Sequence, residues 1–113
     1  MLIDSDEISR PLTEDNINLI LKKIVHSISA RAKKAYLFGS AARKDFSAGS
    51  DIDLIIVKET DEKFVRRAFE FEDLFELYPR LDILVYTPVE FSEKIKKNTP
   101  FWEDFRRQAV QLL

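Results

Sequence analysis

The stretch from Tyr36 to Val57, YLFGSAARKDFSAGSDIDLIIV, constrains the fold more than any other part of the chain. It reads as a short apolar strand (Tyr36 to Phe38), a tight turn at Gly39-Ser40, a short helix, a loop, and a second strand carrying Asp51 and Asp53. Residues i and i+2 of a strand share a face, so the two carboxylates point the same way, about 7 Å apart along the strand. Ile52, Leu54 and Ile56 then point the other way, into a core. Like charges do not stabilise a fold: a pair ~4 Å apart repels by about 1 kcal/mol in water and about 4 kcal/mol at an effective dielectric of 20. The usual relief is a cation, and carboxylate oxygens suit Mg²⁺, which keeps several waters and sits against phosphate groups. Gly39 permits a turn with no Cβ in the way. Ser40 opens a helical stretch whose first N–H groups offer an anion site. An anion cradle beside paired carboxylates suits a triphosphate carried with its magnesium.

A chain of 113 residues is long enough for one domain with one core. With 45% hydrophobic and 34% charged residues it has the composition of an ordinary soluble globular protein. A net charge of -2 gives no electrostatic support for tight nucleic-acid binding. The absence of cysteine excludes disulfides and thiolate metal sites. No apolar run approaches the ~20 residues of a membrane span, and the N-terminus lacks the order of a signal peptide, so a cytoplasmic location is expected.

Along the chain, residues 1–12 carry no clear pattern and suit a helix or an arm over the core, with Pro11 ending whatever precedes it. Ile17, Ile20, Leu21, Ile24 and Ile28 predict an amphipathic helix from Thr13, its N-cap, to about Lys33, with Lys33 and Lys34 at its negative end. His26, the only histidine, is expected on the helix surface or in helix packing. A second long helix is predicted from Asp61 to Tyr78, with Phe64, Ala68, Phe71 and Phe75 on one face and Phe69, Leu74 and Leu77 widening it. The acidic run Glu70, Glu72, Asp73 and Glu76 reads as a solvated face, or else as a patch for a basic partner. Leu81 to Tyr86 is a third strand, expected inside the sheet, with Asp82 between apolar neighbours. A buried carboxylate there needs a partner or a metal. Thr87-Pro88-Val89-Glu90 makes a capping box for a helix to about Lys97. A last helix from Pro100 carries Trp102, Phe105, Ala109 and Leu112 on one side, with Trp102 in the core. Paired cations such as Arg66-Arg67 and Arg106-Arg107 read as solvated.

Gly39-Ser40, ten residues, then Asp51-x-Asp53 between apolar strands, with Asp82 on a third strand, resembles the motif of the DNA polymerase β-like nucleotidyltransferase superfamily. In particular it is similar to the minimal nucleotidyltransferases (MNT), often encoded beside a helical HEPN-domain partner. The resemblance covers Tyr36 to about Tyr86, the motif region of what would be a single minimal domain over residues 1–113. It implies an α+β (α/β two-layer) fold, a mixed sheet with helices packed on it. It also implies Asp51, Asp53 and Asp82 as catalytic Mg²⁺ ligands, for two ions in all, with ATP as substrate. Gly39, Ser40 and Ser50 would lie at the nucleotide, and Arg43 or Lys44 would steady the leaving pyrophosphate. Lys44 departs from the family pattern, where Gly is common.

The resemblance implies an enzyme that transfers AMP from ATP to a tyrosine hydroxyl of a HEPN-type RNase toxin, and so acts as its antitoxin in a hetero-oligomer. The alternative is a binding module that masks its partner by contact, with a vestigial nucleotide site. Retention of all three acids favours the enzyme. Transfer to a small molecule is a third option, which would normally need a second domain for the acceptor pocket.

Overall fold

The computed structural model describes residues 12–113, so the expectation for the N-terminal arm and Pro11 lies outside the described residues. The elements run α1 (Glu14–Ile28), β1 (Lys34–Phe38), α2 (Ser40–Arg43), β2 (Ile52–Val57), α3 (Phe64–Arg67), a 3₁₀ helix (Ala68–Glu76), β3 (Leu81–Tyr86), α4 (Pro88–Lys94), α5 (Pro100–Gln108) and β4 (Val110–Gln111). Among the described residues they form one four-stranded sheet in the order β3-β2-β1-β4. β1 runs antiparallel to β2 and to β4, whereas β2 and β3 are parallel. A parallel pair needs a crossover, and α3 with the 3₁₀ helix supplies it.

Alternation along the strands sends residues to two cores. Ala35, Leu37, Ile52, Leu54, Ile56, Leu81, Ile83 and Val85 face Ile17, Ile24 and Ile28 of α1 together with Phe71 and Leu74. Ile55 and Val57 face Phe91, Trp102 and Phe105 of α4 and α5, with Tyr36, Phe38, Leu84 and Tyr86 beside them. The α+β class and mixed sheet are as expected, and helices cover both faces of the sheet rather than one.

Thr13 caps α1 as predicted, its hydroxyl accepting the Asn16 N–H at 3.1 Å while the Asn16 side chain accepts the Thr13 N–H at 2.8 Å. The helix ends at Ile28, not near Lys33. The Arg31 guanidinium donates to the Ser27 carbonyl and to Asp73, so a tertiary tie covers the helix end. Lys34 already belongs to β1. His26 is exposed, within the expectation.

The second long helix is not formed. Its span holds the four-residue α3 and a 3₁₀ stretch, with Phe71 at a non-helical φ of -107° and ψ of 16°. Ala68, Phe71, Leu74 and Leu77 recur every three residues, the period at which 3₁₀ side chains eclipse, and these four meet the core. Phe64, Phe69 and Phe75 are exposed instead. Arg67 is not solvated: it grips Glu90 through both terminal guanidinium nitrogens and donates to the Val85 carbonyl on the free side of β3. Arg66 is exposed, as read from the sequence.

β3 and the Thr87 capping box fall where expected, with α4 shorter by about one turn. α5 starts at Pro100 with Trp102 and Phe105 buried. It ends at Gln108, because Ala109 turns extended and the chain enters β4, which carries Leu112 to the core on the opposite face. Among the described residues no helix is long and apolar enough to cross a membrane.

Candidate active site

β2 brings the acids together. Asp53 is its second residue, and the register sets it opposite Asp82 of parallel β3 on one side and Phe38 of β1 on the other. Adjacent strands lie about 4.8 Å apart, so two carboxylates share one edge of one sheet face. Asp51 stands one residue before the strand rather than within it, and is exposed. Asp82 is also exposed, because β3 is an edge strand and not an interior one. Burial therefore gives Asp82 no need of a partner; its place beside Asp53 is what couples it to the site.

Asp53, half-buried, carries the strain of the arrangement. Burial first, then the charges of Asp82 and Asp51, push its carboxyl above the ordinary carboxylate range, with Arg43 opposing them. Gly39 makes room for it. The glycine sits at φ 74° and ψ -157°, outside the region open to other residues. A Cβ built there would lie 2.2 Å from Asp53 Oδ2. The glycine thus serves both the turn out of β1 and the approach of the carboxylate to the start of α2.

Ser40 is the first residue of α2, next to this contact. Arg43 ends α2 and reaches Asp45 at 3.2 Å and Asp104 at 3.8 Å. Lys44 lies apart from Arg43: it lines a larger cleft of about 1090 Å³ between α1 and β4, with Ala41, Ala42 and Leu37 of the opposite core face. It also adopts the left-handed conformation, φ 62° and ψ 25°. That conformation costs an L-residue about 1–2 kcal/mol, which accounts for the glycine common there in the resembling family. Lys44→Gly is expected to stabilise the protein by about 0.5–1 kcal/mol after the entropy of a freer unfolded chain is deducted. Urea denaturation checks this, and a lowered midpoint would contradict it.

Ser50 is engaged in the loop. Its hydroxyl accepts the Ser47 N–H at 2.8 Å, and its carbonyl accepts the Tyr78 hydroxyl at 2.7 Å. These bonds fix the approach of the chain to Asp51.

A second cleft of about 510 Å³ opens beside Gly39 and Arg43 against α5. Asp104 and Arg107 line it, and neither was singled out from the sequence as a site residue. Only the return of α5 across the sheet brings them to Gly39, so no local pattern announces them.

Among the described residues no three acids cluster tightly enough to hold a metal by themselves. The donor set nevertheless fits Mg²⁺, which usually takes one or two carboxylates and fills its octahedron with water and substrate phosphates. Three acids opposed by one arginine leave negative charge for such a cation to offset.

The model of the nucleotidyltransferase domain matches residues 19–110. The fold resembles a crystal structure of a candidate nucleotidyltransferase from Sulfolobus solfataricus, with a TM-score of 0.56 and 24% identity over 71% of this chain and 77% of that one. No curated protein matches the chain.

Proposed function

The chain belongs to the nucleotidyltransferase domain family, and from that premise we propose that it moves AMP from ATP, with Mg²⁺, to a hydroxyl of a partner protein. The acceptor is a tyrosine of a HEPN-type RNase toxin, and the transfer makes this chain the antitoxin. The observation that carries the catalytic part is the packing of Asp53 between Gly39 and Asp82, with its carboxyl driven above the ordinary range by burial and by two acids. A fold gains nothing from that arrangement unless a cation and a phosphate chain complete it.

Asp51 and Asp53 would hold the Mg²⁺ that accompanies the triphosphate, and Asp82 with them a second ion. When bound, the metal supplies charge neutralisation at the α-phosphate and acidifies the acceptor hydroxyl. The N–H groups after Gly39 and the Ser40 hydroxyl bind terminal phosphate oxygens, and Arg43 adds charge on the same side. The acceptor oxygen bonds to the α-phosphorus as the bond to the β-phosphate oxygen breaks. Pyrophosphate departs and the hydroxyl proton passes to water.

Ser40→Ala is expected to weaken ATP binding by about 1.5–3 kcal/mol, one hydrogen bond to a charged group. Calorimetric titration checks this, and unchanged affinity would remove Ser40 from the phosphate site. The function itself is tested with ATP labelled at the α-phosphate, Mg²⁺ and lysate of the source cell, using wild type beside Asp51→Ala/Asp53→Ala. Label on one protein band with the wild type alone supports the reading. Equal co-purification of a partner with both proteins and no label favours masking by contact.

A further inference from the structure

The cleft between α2 and α5 is lined by the guanidinium groups of Arg43 and Arg107 and by the carboxylates of Glu103 and Asp104. Asp104 joins the two arginines, while Arg43 also holds Asp45 at 3.2 Å. Arg107 donates to one Asp104 oxygen at 2.6 Å, while Arg43 stands 3.8 Å from the other. These side chains come from elements some 60 residues apart in sequence, and all three line the cleft that begins at Gly39. Gly39, which packs directly against the Asp53 carboxylate, also lines this cleft, so the cleft lies at the acidic end of the site. Two arginines converging on one carboxylate are placed for any ligand that presents adjacent anionic oxygens, because each guanidinium offers a planar fork of donors. Asp104 occupies that position in the free protein. Arg107 is largely exposed and its ion pair spans a single helical turn, so it contributes little to holding the fold.

We propose that Arg107 is a second triphosphate-binding arginine, exchanging Asp104 for the terminal phosphate oxygens alongside Arg43. The inference rests on the nucleotidyl-transfer reading and extends it: the α2–α5 cleft takes the diphosphate end of a nucleoside triphosphate, the part that leaves. Arg107 therefore distinguishes a triphosphate from a monophosphate, which has nothing to place there.

The test is calorimetric titration of the full chain with Mg·ATP and with AMP. The proteins compared are wild type, Arg107→Gln, Arg107→Lys and, as a control for general charge, Arg66→Gln. Arg107→Gln is expected to weaken Mg·ATP about tenfold while AMP stays within about twofold. Arg107→Lys recovers part of the loss, and Arg66→Gln matches wild type. Wild-type affinity for Mg·ATP in Arg107→Gln overturns the inference and leaves the transfer reading standing, as does an equal loss for ATP and AMP. A wild type that binds neither nucleotide overturns both.

Discussion

Asp53→Asn is expected to lower the transfer rate on the order of a thousandfold, the loss of several kcal/mol of charge stabilisation, and at the same time to make the metal-free protein more stable at neutral pH. The second result separates an active-site acid from a structural one. The Asp53 carboxyl titrates above the ordinary carboxylate value because of its burial and of Asp82 and Asp51. As pH rises from that ordinary value, the unfolded chain loses the proton first and the folded chain keeps it. Stability therefore falls through this window and stays lowered above the raised folded value. Asparagine does not titrate, so the advantage of the variant is absent in acid and complete at neutral pH. Partial exposure screens the effect, so the shift in melting temperature is moderate. Melts with chelator from about pH 3 to about pH 8 check the sign. Full activity in the variant, or lower stability at neutral pH, would contradict the account.

Gly39→Ala carries the next largest effect. The new methyl would meet Asp53 Oδ2 at 2.2 Å and Cγ at 3.2 Å, on a backbone at φ 74° and ψ -157°. Moving the carboxylate by about 1 Å is expected to cost on the order of a hundredfold in transfer, and the backbone strain about 1–3 kcal/mol in stability. The two contributions separate in a double-mutant cycle. In an Asp53→Ala background the colliding oxygens are gone, so Gly39→Ala should cost less stability than in wild type. Equal costs in both backgrounds would show that the close approach of Gly39 to Asp53 does not matter.

These residues also mark how far the sequence alone reached. Gly39, Asp51 and Asp53 lie within one strand-turn-helix-strand unit, where local alternation and turn chemistry decide who faces whom, and β3, the Thr13 N-cap and the Thr87 capping box are equally local. Asp82 was placed on the right strand and face, but its exposure depends on strand order, which no local pattern encodes. The segment after Lys63 misled because aromatic residues dominate a search at helical spacing. The three-residue recurrence of Ala68, Phe71, Leu74 and Leu77 was present in the sequence and is the better guide to the 3₁₀ turn. Arg67 looked solvated because its partner, Glu90, lies on another element. Arg107 reaches the site only through the return of α5, and was invisible for the same reason.

The central claim is that this set of acids is completed by a cation together with a triphosphate. Binding of Mn²⁺, a spectroscopic substitute for Mg²⁺, measured by electron paramagnetic resonance with and without a non-hydrolysable ATP analogue, tests it most directly. The account predicts weak binding to the free protein, binding at least about tenfold tighter with the analogue, and loss of that gain in Asp53→Asn. Mn²⁺ binding that is indifferent to the nucleotide, or unchanged in Asp53→Asn, would contradict it.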